Sequence, residues 1–155
     1  GREPHVYTLS TLTNLHPKYE AIKRQFVNSW VAGGPTPHVV RVFQVRNPAA
    51  VFARYETYKR GLATLGRPVQ EERRFHATRM AALCSFGINQ AQRPCNDGAC
   101  AVCSIPATSF QLAHARGGPL TPGLGFLRYG RGLYFARTSS KSHDYGSASE
   151  RQAAG

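Results

Sequence analysis

Apolar positions in the first third of the chain recur at helical spacing. Tyr19, Ile22, Phe26 and Trp30 stand three or four residues apart, so Pro17 to Trp30 predicts a helix about three turns long with one core-facing stripe. Gly33-Gly34-Pro35 ends it. Val39-Val40-Arg41-Val42-Phe43-Gln44-Val45 is β-branched and aromatic, which predicts a strand stopped by Asn47-Pro48. Pro48 then opens a second helix that carries Val51, Tyr55 and Tyr58 on one face. Gly66-Arg67-Pro68 reads as a loop and Arg73 to Thr78 as a second strand. A cysteine-bearing insertion runs from Cys84 to Cys103, and a short Ile105–Leu112 segment follows it. A glycine- and proline-rich loop spans Gly117 to Gly125, and Gly130 to Ala136 forms a glycine turn and a short strand. Ser140 to Tyr145 reads as a helix start, and the tail beyond it is small and polar, with no strand left in it. There is no internal repeat. This order of elements predicts one domain of the mixed α/β or α+β class.

The 155 residues suffice for one domain with a real core. No window offers the roughly eighteen consecutive apolar residues that cross a membrane, and the N-terminus lacks the profile of a signal peptide. A nuclear or cytoplasmic protein without membrane partners is therefore expected. The first residue is not methionine, so a piece of a longer chain is expected too. The sequence leaves the oligomeric state open.

The net charge of +12 changes the picture of partners. It comes from basic residues spread along the whole length, which creates a broad positive field. Nucleic acid, an acidic protein or a pyrophosphate-bearing dinucleotide would be drawn to it. An ordinary basic domain, balanced by acidic sequence elsewhere, fits the same numbers.

All four cysteines, Cys84, Cys95, Cys100 and Cys103, fall in one short segment, with Cys100-Ala101-Val102-Cys103 as a C-x-x-C pair. Four thiols so grouped suit a structural Zn2+, and His114 is an alternative fourth ligand. Two disulfides or free buried thiols are the other readings. No thioredoxin-like context surrounds the pair, which argues against redox catalysis. Neither a Gly-x-Gly-x-x-Gly after a strand nor a P-loop is present.

Three short motifs remain: Arg74-Phe75-His76-Ala77-Thr78, Gly130-Arg131-Gly132-Leu133-Tyr134-Phe135-Ala136 and Ser140-Lys141-Ser142-His143-Asp144-Tyr145. In that order and separation they resemble the nicotinamide pocket of the poly(ADP-ribose) polymerase type of ADP-ribosyltransferase. The upstream helix and strand are similar to the way that catalytic domain begins, so the resemblance runs from about Tyr19 to Tyr145. Some plant and fungal members carry a similar cysteine-rich insertion after the histidine.

The resemblance implies a split mixed β-sheet core with flanking helices, and NAD+ as substrate. It makes His76 the contact to the adenosine ribose and Ala77 a main-chain clamp on the carboxamide. Tyr134 and Tyr145 would bracket the nicotinamide ring, and Ser142 would hydrogen-bond its carboxamide. His76 and Tyr134 are the implied catalytic residues. Flat aromatic faces suit a cationic pyridinium ring, and a twisted glycosidic bond favours an oxocarbenium-like transition state.

Two departures qualify what is carried over. The family commonly has glycine where this chain has Ala77, whose Cβ crowds the clamp. The family also places a catalytic glutamate on a late strand. Here ten residues follow Tyr145, and their one carboxylate, Glu150, has no strand around it. Glu71 and Glu72 precede His76 and read as solvated loop charges. The chain is therefore expected to lack that fold's C-terminal strands. Transfer of single ADP-ribose units to a protein or nucleic-acid acceptor is expected rather than chain elongation. Two rivals stand beside this expectation. One is an inactive module of the same fold that binds NAD+, ADP-ribose or a partner; the other is a basic, zinc-stabilised nucleic-acid-binding domain.

Overall fold

A computed structural model of the chain describes residues 7–78, 80–87, 94–95, 97–115 and 129–147. Its architecture is mixed α/β. Strand β1 (Thr8–Leu12) pairs antiparallel with β2 (Val42–Arg46), with Thr8 opposite Arg46 and Leu12 opposite Val42. Among the described residues these two strands are the whole sheet. Four helices accompany it: α1 (Pro17–Asn28), α2 (Ala49–Thr64), α3 (Ala101–Thr108) and α4 (Ser139–Ser147). A single 3-10 turn spans Leu112–His114.

Helix α1 begins where its stripe predicts but ends at Asn28, so Trp30 lies just beyond it. Pro17 opens it with a preset φ, and His16 Nδ1 accepts the Lys18 N–H at 3.1 Å. Tyr19, Ile22, Phe26 and Trp30 are half-buried, whereas Lys18, Glu20 and Arg24 face solvent. Strand β2 begins at Val42, so residues 39–41 of the expected strand lie outside it, and Arg46 extends it. Helix α2 begins after Pro48 as expected. It buries no residue, however, and Phe52, Tyr55 and Tyr58 all remain exposed.

The expected strand at residues 73–78 is reduced to one antiparallel bridge, Phe75 to Ala136, which also reduces the expected strand at residues 133–136. Each N–H of this pair donates to the other's carbonyl at 2.9 Å. A longer ladder would next pair Ala77 N–H with the Tyr134 carbonyl. That carbonyl is taken by the His76 imidazole instead, with Nδ1 at 2.9 Å. A side chain thus interrupts the ladder after one pair. Glu71 pairs with Lys59 at 3.1 Å and Glu72 with Arg74, both in exposed positions, as solvated loop charges do. The loop expected at residues 117–125, Glu150 and the tail lie outside the described residues.

The end of α1 and the start of α4 cap each other. The Phe26 carbonyl, left over at the C-terminus of α1, accepts the Ser139 hydroxyl at 2.7 Å. In return the Ser139 N–H, free at the N-terminus of α4, donates to Ser29 Oγ at 3.2 Å. Val31 N–H donates to Ser140 Oγ at 3.3 Å, and both serines are buried. Ser139→Ala removes the donor to Phe26 and the acceptor for Ser29, at a cost of about 1–3 kcal/mol. Urea denaturation should show that loss, whereas exposed Ser85→Ala, away from the junction, should leave the midpoint unchanged.

Candidate functional site

The bridge, α3 and α4 enclose a cavity of about 570 Å³. His76 and Ala77 line it from one side of the bridge and Tyr134 from the other. Ser142 and Tyr145 come from α4, while Ser104, Ile105 and Thr108 come from α3. All five residues that the sequence singles out around His76 therefore meet in one cavity, although they come from three separate segments.

The His76 ring is fixed on two sides. It meets Phe110 edge-on at 4.8 Å and Phe135 at 5.4 Å, and those two rings meet each other at 4.9 Å. A carbonyl oxygen can only accept, so the bond to Tyr134 places the proton on Nδ1 in the neutral ring. Nε2 is then an acceptor. The same bond leaves both main-chain groups of Ala77 without a hydrogen-bond partner among the described residues. The Ser142 hydroxyl makes no bond there either, although the residue is buried. One N–H, one carbonyl and one hydroxyl on the cavity wall thus have no partner among the described residues.

Gly130 supplies the turn before this wall, at φ +77°. The Tyr134 hydroxyl donates back to the Gly130 carbonyl, which sets the ring's orientation. Tyr134 is 45% exposed and Tyr145 62%, so each keeps open surface, and the Tyr129 ring lies 6.4 Å from that of Tyr134. His114 and Lys141 also line the cavity, and none of its described lining residues is Asp or Glu. The sequence assigns neither to this cavity, and His114 enters its reading only as an alternative metal ligand. Ser109 on the same wall has φ 69° and ψ 179°, a conformation that strains any residue with a side chain.

A second cluster lies at the N-terminus of α3. The sulfurs of Cys84, Cys95, Cys100 and Cys103 are all within 4.8 Å of one another, in a set that can hold a metal ion. Cys84 and Cys103 Sγ are 3.6 Å apart and all four thiols are free, so none is disulfide-bonded. The Asp97 turn delivers Cys100: its carbonyl accepts Cys100 N–H, and its carboxylate accepts Ala99 N–H at 2.8 Å. Main-chain N–H groups point at sulfur, Ala81 to Cys100 at 3.4 Å and Cys95 to Cys103 at 3.3 Å. Burial opposes ionisation of Cys100, but the Ala81 and Cys103 N–H groups and the thiols of Cys84 and Cys95 bring its pKa down to about 7. Burial pushes Cys103 up. His114, the alternative ligand, lines the cavity and is not among the clustered groups.

Tyr7 packs into the thiol cluster with Phe86, whose ring it meets edge-on at 6.0 Å. Its hydroxyl is buried without a partner. Burial, reinforced by the cysteines, raises its pKa to about 12. No family model matches the chain, and no curated protein matches it. No helix among the described residues is long and apolar enough to cross a membrane.

The unfolded Tyr7 phenol ionises near its ordinary value of 10.0, whereas the folded one stays neutral to about 12. Its contribution to stability is complete below about pH 10 and is lost between about 10 and 12. Tyr7→Phe should abolish that part of the alkaline loss in melting curves. Near neutral pH it should leave stability equal or higher, because an unpartnered buried hydroxyl is removed.

Proposed function

We propose that this chain is an NAD+-dependent ADP-ribosyltransferase domain of the poly(ADP-ribose) polymerase type, transferring single ADP-ribose units. The observation that carries it is the set of unpaired groups beside two open tyrosine rings. A primary carboxamide has one acceptor oxygen and one donor nitrogen, and Ala77 N–H, Ala77 C=O and Ser142 Oγ complement both. Tyr134 and Tyr145 offer faces for the pyridinium ring. His76 Nε2 accepts from a hydroxyl of the adenosine ribose, Lys141 favours the pyrophosphate, and a His114 ring nitrogen can donate to it.

In the reaction the bond between the ribose C1′ and the nicotinamide nitrogen breaks. Nicotinamide leaves with the electron pair, the ribose carries the positive charge, and an acceptor nucleophile adds and loses its proton. The chain's contribution is positioning: the carboxamide is clamped at one end of the dinucleotide and the adenosine ribose at the other, which limits how the nicotinamide ribose between them can turn. The absence of a carboxylate among the described lining residues favours a second reading, an NAD+- or ADP-ribose-binding module without turnover.

Nicotinamide release from NAD+ separates the two. A transferase releases nicotinamide, and His76→Ala lowers the rate by about 100-fold. NAD+ binding without release supports the module, and release that His76→Ala leaves unchanged, or an absence of binding, overturns both.

The thiol cluster reads as a structural zinc site. Tetrahedral zinc with Zn–S near 2.3 Å needs sulfurs about 3.8 Å apart, close to the observed packing. The Tyr7 hydroxyl, a buried donor without a partner, lies beside sulfurs that become acceptors as thiolates. Zinc binds as thiolates form, so titration should show one ion per chain, release protons near pH 7, and tighten as pH rises from about 6 to 8. Cys103→Ser should abolish stoichiometric binding.

A further inference from the structure

The thiol cluster and the cavity share one helix. Cys100 is the N-cap of α3 and Cys103 lies in its first turn, while Ser104, Ile105 and Thr108 of the same helix line the cavity. Cys84 lies on the segment that leaves the cavity wall after His76 and Ala77. The four sulfurs therefore tie together two chain segments that form separate walls of one cavity.

Helix α3 has little of its own to hold it there. Its 8 residues fall short of the roughly 12–15 that an isolated helix needs in water. Pro106 in its interior removes one N–H, and no side chain caps its N-terminus. It ends on the strained Ser109. The C-terminal end has outside support: Asn47 Nδ2 donates to the Pro106 carbonyl at 2.9 Å, and Arg54 Nη2 to the Thr108 carbonyl at 3.0 Å. The N-terminal end is held through the buried Cys100 and Cys103.

We infer that Cys84, Cys95, Cys100 and Cys103 are positioning residues for the cavity: with zinc bound they fix α3 as its wall, and without zinc the cavity loses affinity for its ligand. The inference rests on the proposed function only for the identity of that ligand. The coupling is reciprocal, so a ligand that needs α3 in place also retains the metal.

The competing account is that the metal supports the fold as a whole. Trp30, the sole tryptophan, distinguishes them, because its ring contacts are Phe26 at 5.9 Å and His143 at 5.3 Å in the α1–α4 junction. The experiment uses the full chain, reduced and zinc-loaded, before and after removal of zinc by a chelator. Nicotinamide affinity is measured by calorimetry, Trp30 by its emission, and α3 by amide hydrogen exchange. On zinc removal, exchange should accelerate in residues 101–110 and nicotinamide should bind about tenfold more weakly, with Trp30 emission unchanged. Saturating nicotinamide should slow zinc transfer to the chelator. Cys84→Ser, which lies outside α3, should reproduce the effect of chelation.

A red-shifted Trp30 with fast exchange throughout overturns the inference, because the metal then supports everything. Unchanged exchange in α3, unchanged nicotinamide affinity or failure to load zinc overturns it as well. If the zinc-loaded chain does not bind nicotinamide, the proposed function fails, and exchange alone decides the coupling. Acceleration confined to α3 upholds it, and no acceleration overturns it.

Discussion

The cavity depends on where one carbonyl finds its hydrogen bond. Tyr134 C=O could accept from Ala77 N–H and lengthen the ladder that Phe75 and Ala136 begin. It accepts from His76 Nδ1. Three consequences follow from that one substitution of partner. The segments stop pairing after one bridge, so space opens beyond it. The imidazole is fixed as the Nδ1–H tautomer, with Nε2 turned into an acceptor. Among the described residues, Ala77 keeps an unused donor and an unused acceptor at the cavity wall. Phe110 and Phe135 then hold the ring so that the exchange of partners persists.

Two helices complete the enclosure, and they are anchored by different chemistry. Helix α4 is held through short neutral hydroxyls, buried and hydrogen-bonded with the end of α1, which do not change charge over the physiological pH range. Helix α3 begins in thiols, which ionise, oxidise and bind soft metals. One wall is thus insensitive to its surroundings and the other is sensitive. Both reach the same 570 Å³ space, so what happens to the thiols bears on Ser104, Ile105 and Thr108 more directly than on Ser142 and Tyr145.

What was legible in the sequence follows the range of the forces involved. The α1 stripe was readable because amphipathic periodicity is local, and the structure half-buries all four of its members. The cysteines were readable because four thiols in one segment have few other uses, and they do converge. Strands depend on partners elsewhere in the chain. Residues 73–78 had the composition of a strand but lost their ladder to a side chain. Strand β1 was missed altogether, since Thr-Leu-Ser-Thr-Leu is short and acquires its meaning opposite Val42–Arg46. Ser139 was equally silent, because its partner Ser29 is 110 residues away. Lys141 and His114 carried no spacing signal that marked them as cavity residues.

The charges of the cavity bear on whether binding leads to turnover. Lysine and histidine line it, and no described lining residue is a carboxylate. On the proposed function, Lys141 favours the pyrophosphate, and the tyrosine faces favour the pyridinium while its charge is still on the ring. In the transition state that charge moves to the ribose, away from the aromatic faces. Interactions that strengthen binding without strengthening toward the transition state lower KM but do not raise kcat. The described groups therefore do more for holding the dinucleotide than for cleaving it. On that reading the rate comes from geometry: a carboxamide clamped by Ala77 and Ser142 and an adenosine ribose held by His76 fix the two ends of the dinucleotide and limit how the nicotinamide ribose between them can turn. A site of this kind works by orientation first, which is why the stiffness of its two helical walls matters as much as the identity of its polar groups.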